Sequence, residues 1–121
     1  MLQPGRAAAV EALVAPGDTA RALGSGDVDV LGTPRALALV EAASIAALAG
    51  ALPDGDTSVG TRVELDHLAP SPVGAAVRAE ARLVQVAGRR LTFEVSVSQD
   101  GRIVAHGRVI RAVVDRARFP A

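Results

Sequence analysis

The stretch GTPRALALVEAASIAALAG, residues 32–50, decides how the rest of the chain is read. Thr33 is placed to cap a helix, since its hydroxyl can accept from an orphan amide of the first turn. Pro34 falls at the first helical position, where its missing N–H costs nothing. Gly50 can close the far end. Between them the residues are nearly all Ala, Leu, Val and Ile. Such a helix is apolar all round and is expected to be buried all round. Glu41 stands in its middle, and an unpaired ionised carboxylate is costly to bury. It needs a partner or a purpose.

Outward from the helix, the period changes. TRVELDH, 61–67, puts Val63, Leu65 and His67 on one face and Arg62, Glu64 and Asp66 on the other, the two-residue alternation of a strand. After the Pro70-Ser71-Pro72 break, residues 75–86 place Arg78, Glu80 and Arg82 on one face. Ala87-Gly88-Arg89 reads as a hairpin turn. Residues 91–98 alternate cleanly, with Leu91, Phe93, Val95 and Val97 inward. Gln99-Asp100-Gly101 is a tight-turn signal, and residues 102–114 form a last long strand. Upstream, residues 7–14 suit helix or strand, and TARAL, 19–23, suits a short second strand. GSGDVDVLG, 24–32, and LPDGDTSVG, 52–60, read as loops.

The expected order is thus strand, short strand, buried helix, then a meander of four strands. One helix must be covered by one antiparallel sheet, and the sheet must curl to cover it. That is the α+β arrangement of the hotdog fold, whose subunits normally pair into dimers through their sheets. With no repeat and no linker, residues 1–121 are expected to form a single domain.

Composition narrows the function. Half the residues are hydrophobic and 21% are charged, as in a folded chain. Formal net charge is zero, so nothing predicts a nucleic-acid or anionic-membrane surface. There is no Cys, which leaves no disulfide, no thiolate nucleophile and no zinc–cysteine site. No signal-peptide pattern opens the sequence and no apolar run reaches membrane-spanning length, so a cytoplasmic location is the expectation. All thirteen basic residues are Arg, and Phe93 and Phe119 are the only aromatics. A core of such small side chains buries little area per residue, which favours a partner subunit.

His67, on the apolar face of its strand, is the best partner for Glu41. A carboxylate can hold an imidazole's tautomer or itself act as base or nucleophile. Thr33 adds a hydroxyl where free backbone amides and the helix dipole favour developing negative charge. A hydroxyl, a carboxylate, an imidazole and an amide-rich helix end suit acyl transfer. Each residue also has a structural reading. Thr33 alone is explained as a cap, Glu41 could form an ion pair with an Arg such as Arg111, and a lone His on a strand face is commonly a satisfied core residue. Arg89 and Arg90, after a turn, are most simply solvated, but could meet phosphates of a nucleotide-like ligand. His106 is expected on the outer sheet face.

From Thr33 onward the chain resembles the fluoroacetyl-CoA thioesterase-like family of hotdog proteins. The family's catalytic Thr, Glu and His match Thr33, Glu41 and His67 at the same intervals of eight and twenty-six residues. SVGTRVELDHLAPSPVG, 58–74, resembles its Gly-Thr strand, His and Pro-rich turn. Gly60 matches a glycine at the acyl group, VAGRRLTF, 86–93, its hairpin, and Arg111 an Arg. The resemblance implies hydrolysis of a small or medium acyl-CoA to free acid and CoA by a homodimer with its ligand site near the interface. His67 would be general base and acid, Glu41 nucleophile or the base that activates water, and Thr33 would position the carbonyl or serve as an alternative nucleophile. Gly60 and amides at the helix start would hold the oxyanion, and Arg89, Arg90 and Arg111 would contact substrate. No metal or cofactor is implied. The family's type member has a longer, Phe-bearing lid where this chain has GSGDVDVLG, which points away from fluoroacetyl selectivity. A non-catalytic acyl-CoA-binding module is the alternative. A hotdog hydratase fits less well, because Asp66-His67 lacks the hydratase spacing.

Overall fold

The computed structural model describes residues 2–119. Its elements are β1 (Ala7–Leu13), a 3-10 turn (Pro16–Asp18), α1 (Ala20–Leu23), α2 (Thr33–Ala47), β2 (Asp56–His67), β3 (Ala76–Ala87), β4 (Arg90–Gln99), β5 (Arg102–Asp115) and a closing 3-10 turn (Arg116–Arg118). The five strands form one antiparallel sheet in the order β1-β3-β4-β5-β2, with α2 against its inner face.

The strands alternate as the sequence pattern requires. Val77, Ala79, Ala81 and Leu83 of β3 are buried, as are Leu91, Phe93, Val95 and Val97 of β4, while Arg78, Glu80 and Arg82 face outward. Small residues on α2 (Ala36, Val40, Ala43 and Ala47) let the helix approach the sheet, and Phe93 fills the space between them. Asp100 and Gly101 both take positive φ, +51° and +77°, the pair of left-handed residues that a two-residue hairpin needs. His106 lies on the outer face opposite Asp66.

Several expectations are corrected. TARAL is not a strand. Thr19 Oγ1 accepts from the Ala22 N–H at 3.1 Å and starts the one-turn helix α1. The four-strand meander is a three-strand one, β3-β4-β5, with β2 beyond β5 at the far edge. The Pro70–Pro72 segment carries the chain from that edge past the head of α2, where the Leu31 N–H donates to Ser71 O at 2.8 Å. β2 begins at Asp56, inside the stretch read as loop.

α2 also differs from its sequence reading at both ends and along one side. Gly32, not Thr33, is the N-cap, and Thr33 is the first helical residue. The helix ends at Ala47, and two tightened turns lead to Gly50, whose φ is +71°. The Arg6 guanidinium donates to Ala47 O and Ala49 O, both at 2.8 Å, placing a cation where the helix dipole is negative. The helix is not buried all round. The sheet covers Ala36, Leu39, Val40, Ala43, Ser44 and Ala47, but Pro34, Ala38 and Ile45 form an open stripe on the opposite side, with Ile45 55% exposed. A five-stranded sheet reaches around only one side of a helix. β2, the edge strand beside this stripe, has no strand on its outer side among the described residues.

Candidate active site

Thr33 begins α2 and His67 ends β2. Freed from capping, the Thr33 hydroxyl meets the imidazole instead: Thr33 Oγ1 and His67 Nδ1 are hydrogen-bonded at 2.8 Å. Thr33 is exposed and His67 is half-buried, and both line an open cleft of about 270 Å³ whose other walls include Val28, Val30, Leu68 and Pro70. Burial lowers the His67 pKa from its ordinary 6.5, so the imidazole is held neutral at pH 7 and can accept a proton. When Nδ1 accepts the hydroxyl proton, Nε2 carries hydrogen. Nε2 is buried and has no hydrogen-bond partner among the described residues.

Glu41 is not in that cluster, which corrects the expected Glu41–His67 pairing. Its Oε2 lies 3.2 Å from a guanidinium nitrogen of Arg111. Arg111 is 4% exposed, and its other donors reach Ser58 Oγ at 2.9 Å and Ser58 O at 3.1 Å. Buried Ser44 donates to the Glu41 carbonyl at 2.6 Å and stands behind the same guanidinium. Burial lowers the Arg111 pKa, while the charge and hydrogen bond of Glu41 oppose that shift. Arg111, expected at the substrate, is thus the partner of Glu41. Glu41 itself keeps a third of its side chain open. A Cβ built on Gly60 would collide with Glu41 Oε2, so glycine lets the carboxylate lie where it does, and any larger residue would displace it.

The chain therefore holds two half-sites. Thr33 and Glu41 are eight residues apart on one helix, about 12 Å along its axis. Gly60 and His67 are seven residues apart on one strand, roughly 20 Å. The structure joins Thr33 to His67, joins Glu41 to Gly60 and Arg111, and keeps the two groups apart. Ser44 and Ser58 were missed by the sequence reading. Ser44 carried a faint signal, a polar residue one turn from Glu41 on an apolar helix, and Ser58 lay in the supposed loop. Arg89 and Arg90 are exposed at the β3–β4 hairpin, where Arg89 donates to Val113 O at 3.1 Å. Among the described residues no group of three or more His, Asp or Glu side chains is placed to hold a metal ion.

An antiparallel sheet curled on one helix, with a hydroxyl–imidazole pair at the helix head and a carboxylate against a strand glycine, defines a hotdog-fold thioester hydrolase. The chain belongs to the fluoroacetyl-CoA-specific thioesterase family, which matches residues 14–117. It is similar to the fluoroacetyl-CoA thioesterase of Streptantibioticus cattleyicolor, with 34% identity over 93 residues that span 77% of this chain and 67% of that protein. Among solved structures it resembles a mutant of the fluoroacetyl-CoA-specific thioesterase FlK in complex with fluoroacetate and CoA. That similarity has 30% identity and a TM-score of 0.90, and covers 98% of this chain and 100% of the other. A thioesterase superfamily member from Thermus thermophilus is similar at 28% identity and a TM-score of 0.90, over 98% of this chain and 88% of the other.

Proposed function

We propose that this protein hydrolyses the thioester of a small or medium acyl-CoA to a free acid and CoA, and that two copies of the chain build each site. The observation that carries the reading is the 2.8 Å bond between Thr33 and a neutral His67 at the mouth of an open cleft. Thr33 Oγ attacks the thioester carbonyl as its proton passes to His67 Nδ1. The amides at the head of α2 face the developing oxyanion. The C–S bond breaks and the protonated imidazole gives its proton to the CoA sulfur; water, deprotonated by His67, then attacks the Thr33 ester, its C–O bond breaks to free the acid, and His67 returns the proton to Thr33 Oγ. The reaction draws on no cofactor.

The separation of the half-sites supports a homodimer. Antiparallel pairing of two β2 edges, centred between Gly60 and His67, sets His67 of one copy beside Gly60 and Glu41 of the other. The unpartnered His67 Nε2 then gains a carboxylate, which holds the tautomer and stabilises the imidazolium. The same pairing covers the open stripe of α2 and the free edge of β2. No helix among the described residues is long and apolar enough to cross a membrane, and we place the reaction in the cytoplasm.

Mixing two inactive variants tests both parts of the reading. Glu41→Gln and His67→Ala, refolded together, regenerate one intact site per mixed dimer and regain release of free thiol from acetyl-CoA. Two variants that stay inactive when mixed place the whole site in one chain. Tight acyl-CoA binding with an intact thioester in the unaltered protein returns it to a binding module.

A further inference from the structure

We infer that Ser58 is a positioning residue of the thioester site: it fixes the Arg111 guanidinium and, through it, sets where the Glu41 carboxylate points. This rests on the acyl-CoA reading above and on the pairing of two copies.

The guanidinium is gripped along one edge and meets the carboxylate from the other side. Arg111 Nε donates to Ser58 Oγ at 2.9 Å, and Arg111 Nη2 donates to Ser58 O at 3.1 Å. Two bonds from a planar fork to one residue fix both its plane and its rotation. The remaining nitrogen, Nη1, meets Glu41 Oε2 in a single contact at 3.2 Å. Ser44 Oγ lies 3.5 Å from the same nitrogen, but its own proton goes to the Glu41 carbonyl. Gly60, directly across the ladder from Arg111, has no side chain to confine the carboxylate. A one-point contact passes on the direction of Nη1, so a guanidinium free to turn would let the carboxylate drift.

Ser58 reaches this position because β2 is irregular. Ser58 and His67 are nine residues apart, and in an unbroken strand an odd spacing puts side chains on opposite faces. The register against β5 shifts by one between Gly60, which pairs with Arg111, and Arg62, which pairs with Ile110. Thr61 is the extra residue of this β-bulge, and its hydroxyl donates to Ile110 O at 3.3 Å. Ahead of the bulge, Ser58 and Gly60 turn inward, against Arg111 and Glu41. Beyond it, Val63 and Leu65 turn inward to the core and His67 to Thr33. One strand thereby serves both half-sites. In the paired site Glu41 faces the His67 of the other copy, so Ser58 of one chain governs chemistry begun by Thr33 and His67 of the other.

The test is a set of mutant cycles with acetyl-CoA, with thermal midpoints measured on the same samples. Ser58→Ala should lower kcat by about tenfold or more and leave KM in place, the scale expected when a reacting group is misplaced by about 1 Å. Ser58→Thr keeps the acceptor oxygen and should restore most of the rate. In the Glu41→Gln background, Ser58→Ala should lower the residual rate no further, because the two residues act in series. Refolding Ser58→Ala with His67→Ala should yield mixed dimers with one site at the unaltered rate, since the intact His67 then faces an undisturbed Glu41. A folded Ser58→Ala with unaltered kcat overturns the inference. So does an equal loss in both backgrounds, which makes Ser58 merely structural, or a mixture no faster than Ser58→Ala alone. If the unaltered protein hydrolyses no thioester, the proposed reaction fails, and the Arg111 Nε proton still tests the grip by NMR. Slow exchange in Ser58→Thr and fast exchange in Ser58→Ala uphold it; equal exchange in both overturns it.

Discussion

Thr33 Oγ1 and His67 Nδ1, 2.8 Å apart, tie the first residue of α2 to the last residue of β2 across the mouth of a cleft. The hydroxyl is available for this because Gly32 holds the cap position. A side chain expected to stabilise the helix start is turned toward the imidazole instead, and the two readings of Thr33 predict different mutants.

Thr33→Val removes the hydroxyl and keeps the shape. Hydrolysis should fall by about two to four orders of magnitude, the range for loss of a nucleophile or acid–base group. Stability should hardly change. Loss of a true cap would cost about 1 kcal/mol. Thermal midpoint and turnover measured on the same sample separate the two outcomes.

The pH profile follows from His67. Burial in one chain lowers its pKa from 6.5, while the partner carboxylate of the active dimer opposes that shift. In Glu41→Gln, which lacks that carboxylate, only the lowering by burial remains, and the ring should titrate below 6.5. For stability, the unfolded chain takes the proton first as pH falls. The contribution of His67 is therefore full above 6.5 and is lost as pH drops from there through the folded value. Titration of the His67 ring signals by NMR in Glu41→Gln gives the midpoint directly, and a value above 6.5 in that variant contradicts the burial argument.

Glu41→Gln keeps an acceptor for Arg111 and should leave the protein folded, with turnover reduced by about two to four orders of magnitude. Arg111→Met is different. It frees the Glu41 carboxylate and strips Ser58 of its donors, and should destabilise by about 1–3 kcal/mol. Urea melts beside rate measurements check both; a strongly destabilised Glu41→Gln with normal turnover per folded molecule makes Glu41 structural.

Gly60→Ala puts a methyl where Glu41 Oε2 lies. The carboxylate must move, so activity should drop by about tenfold or more while the fold survives, because a displacement of about 1 Å at a reacting centre costs that much. Gly60→Ala with unchanged kcat would show that the position of this carboxylate does not matter.

The loop over the Thr33 cleft offers Val28, 52% exposed, and no aromatic ring. Arg21 pins the loop through Asp29 at 2.9 Å and the Asp27 carbonyl at 2.6 Å. The acyl end is open, so kcat/KM for fluoroacetyl-CoA should not greatly exceed that for acetyl-CoA or longer chains. A large preference for the fluorinated substrate refutes the argument from the missing Phe.

Much of this was legible in residue order. The alternation of 75–86 and 91–98, the Asp100-Gly101 turn and the apolar 33–47 helix are local patterns, set by side-chain period and backbone preference, and each element formed where its pattern lay. Thr33, Glu41, Gly60 and His67 stood out because polar residues and glycines interrupt those patterns. What order along the chain could not supply was which interruptions meet. Glu41 found Arg111, seventy residues away, because β5 lies beside β2 and Ser58 steers the guanidinium. β2 crossed to the far edge, since the Pro70–Pro72 segment anchors at Leu31 rather than turning back as a hairpin. TARAL became a helical turn because Thr19 could cap it. Periodicity is a property of neighbours in sequence. Pairing depends on strand order and on how far a sheet curls around a helix, which are set only when the whole core packs.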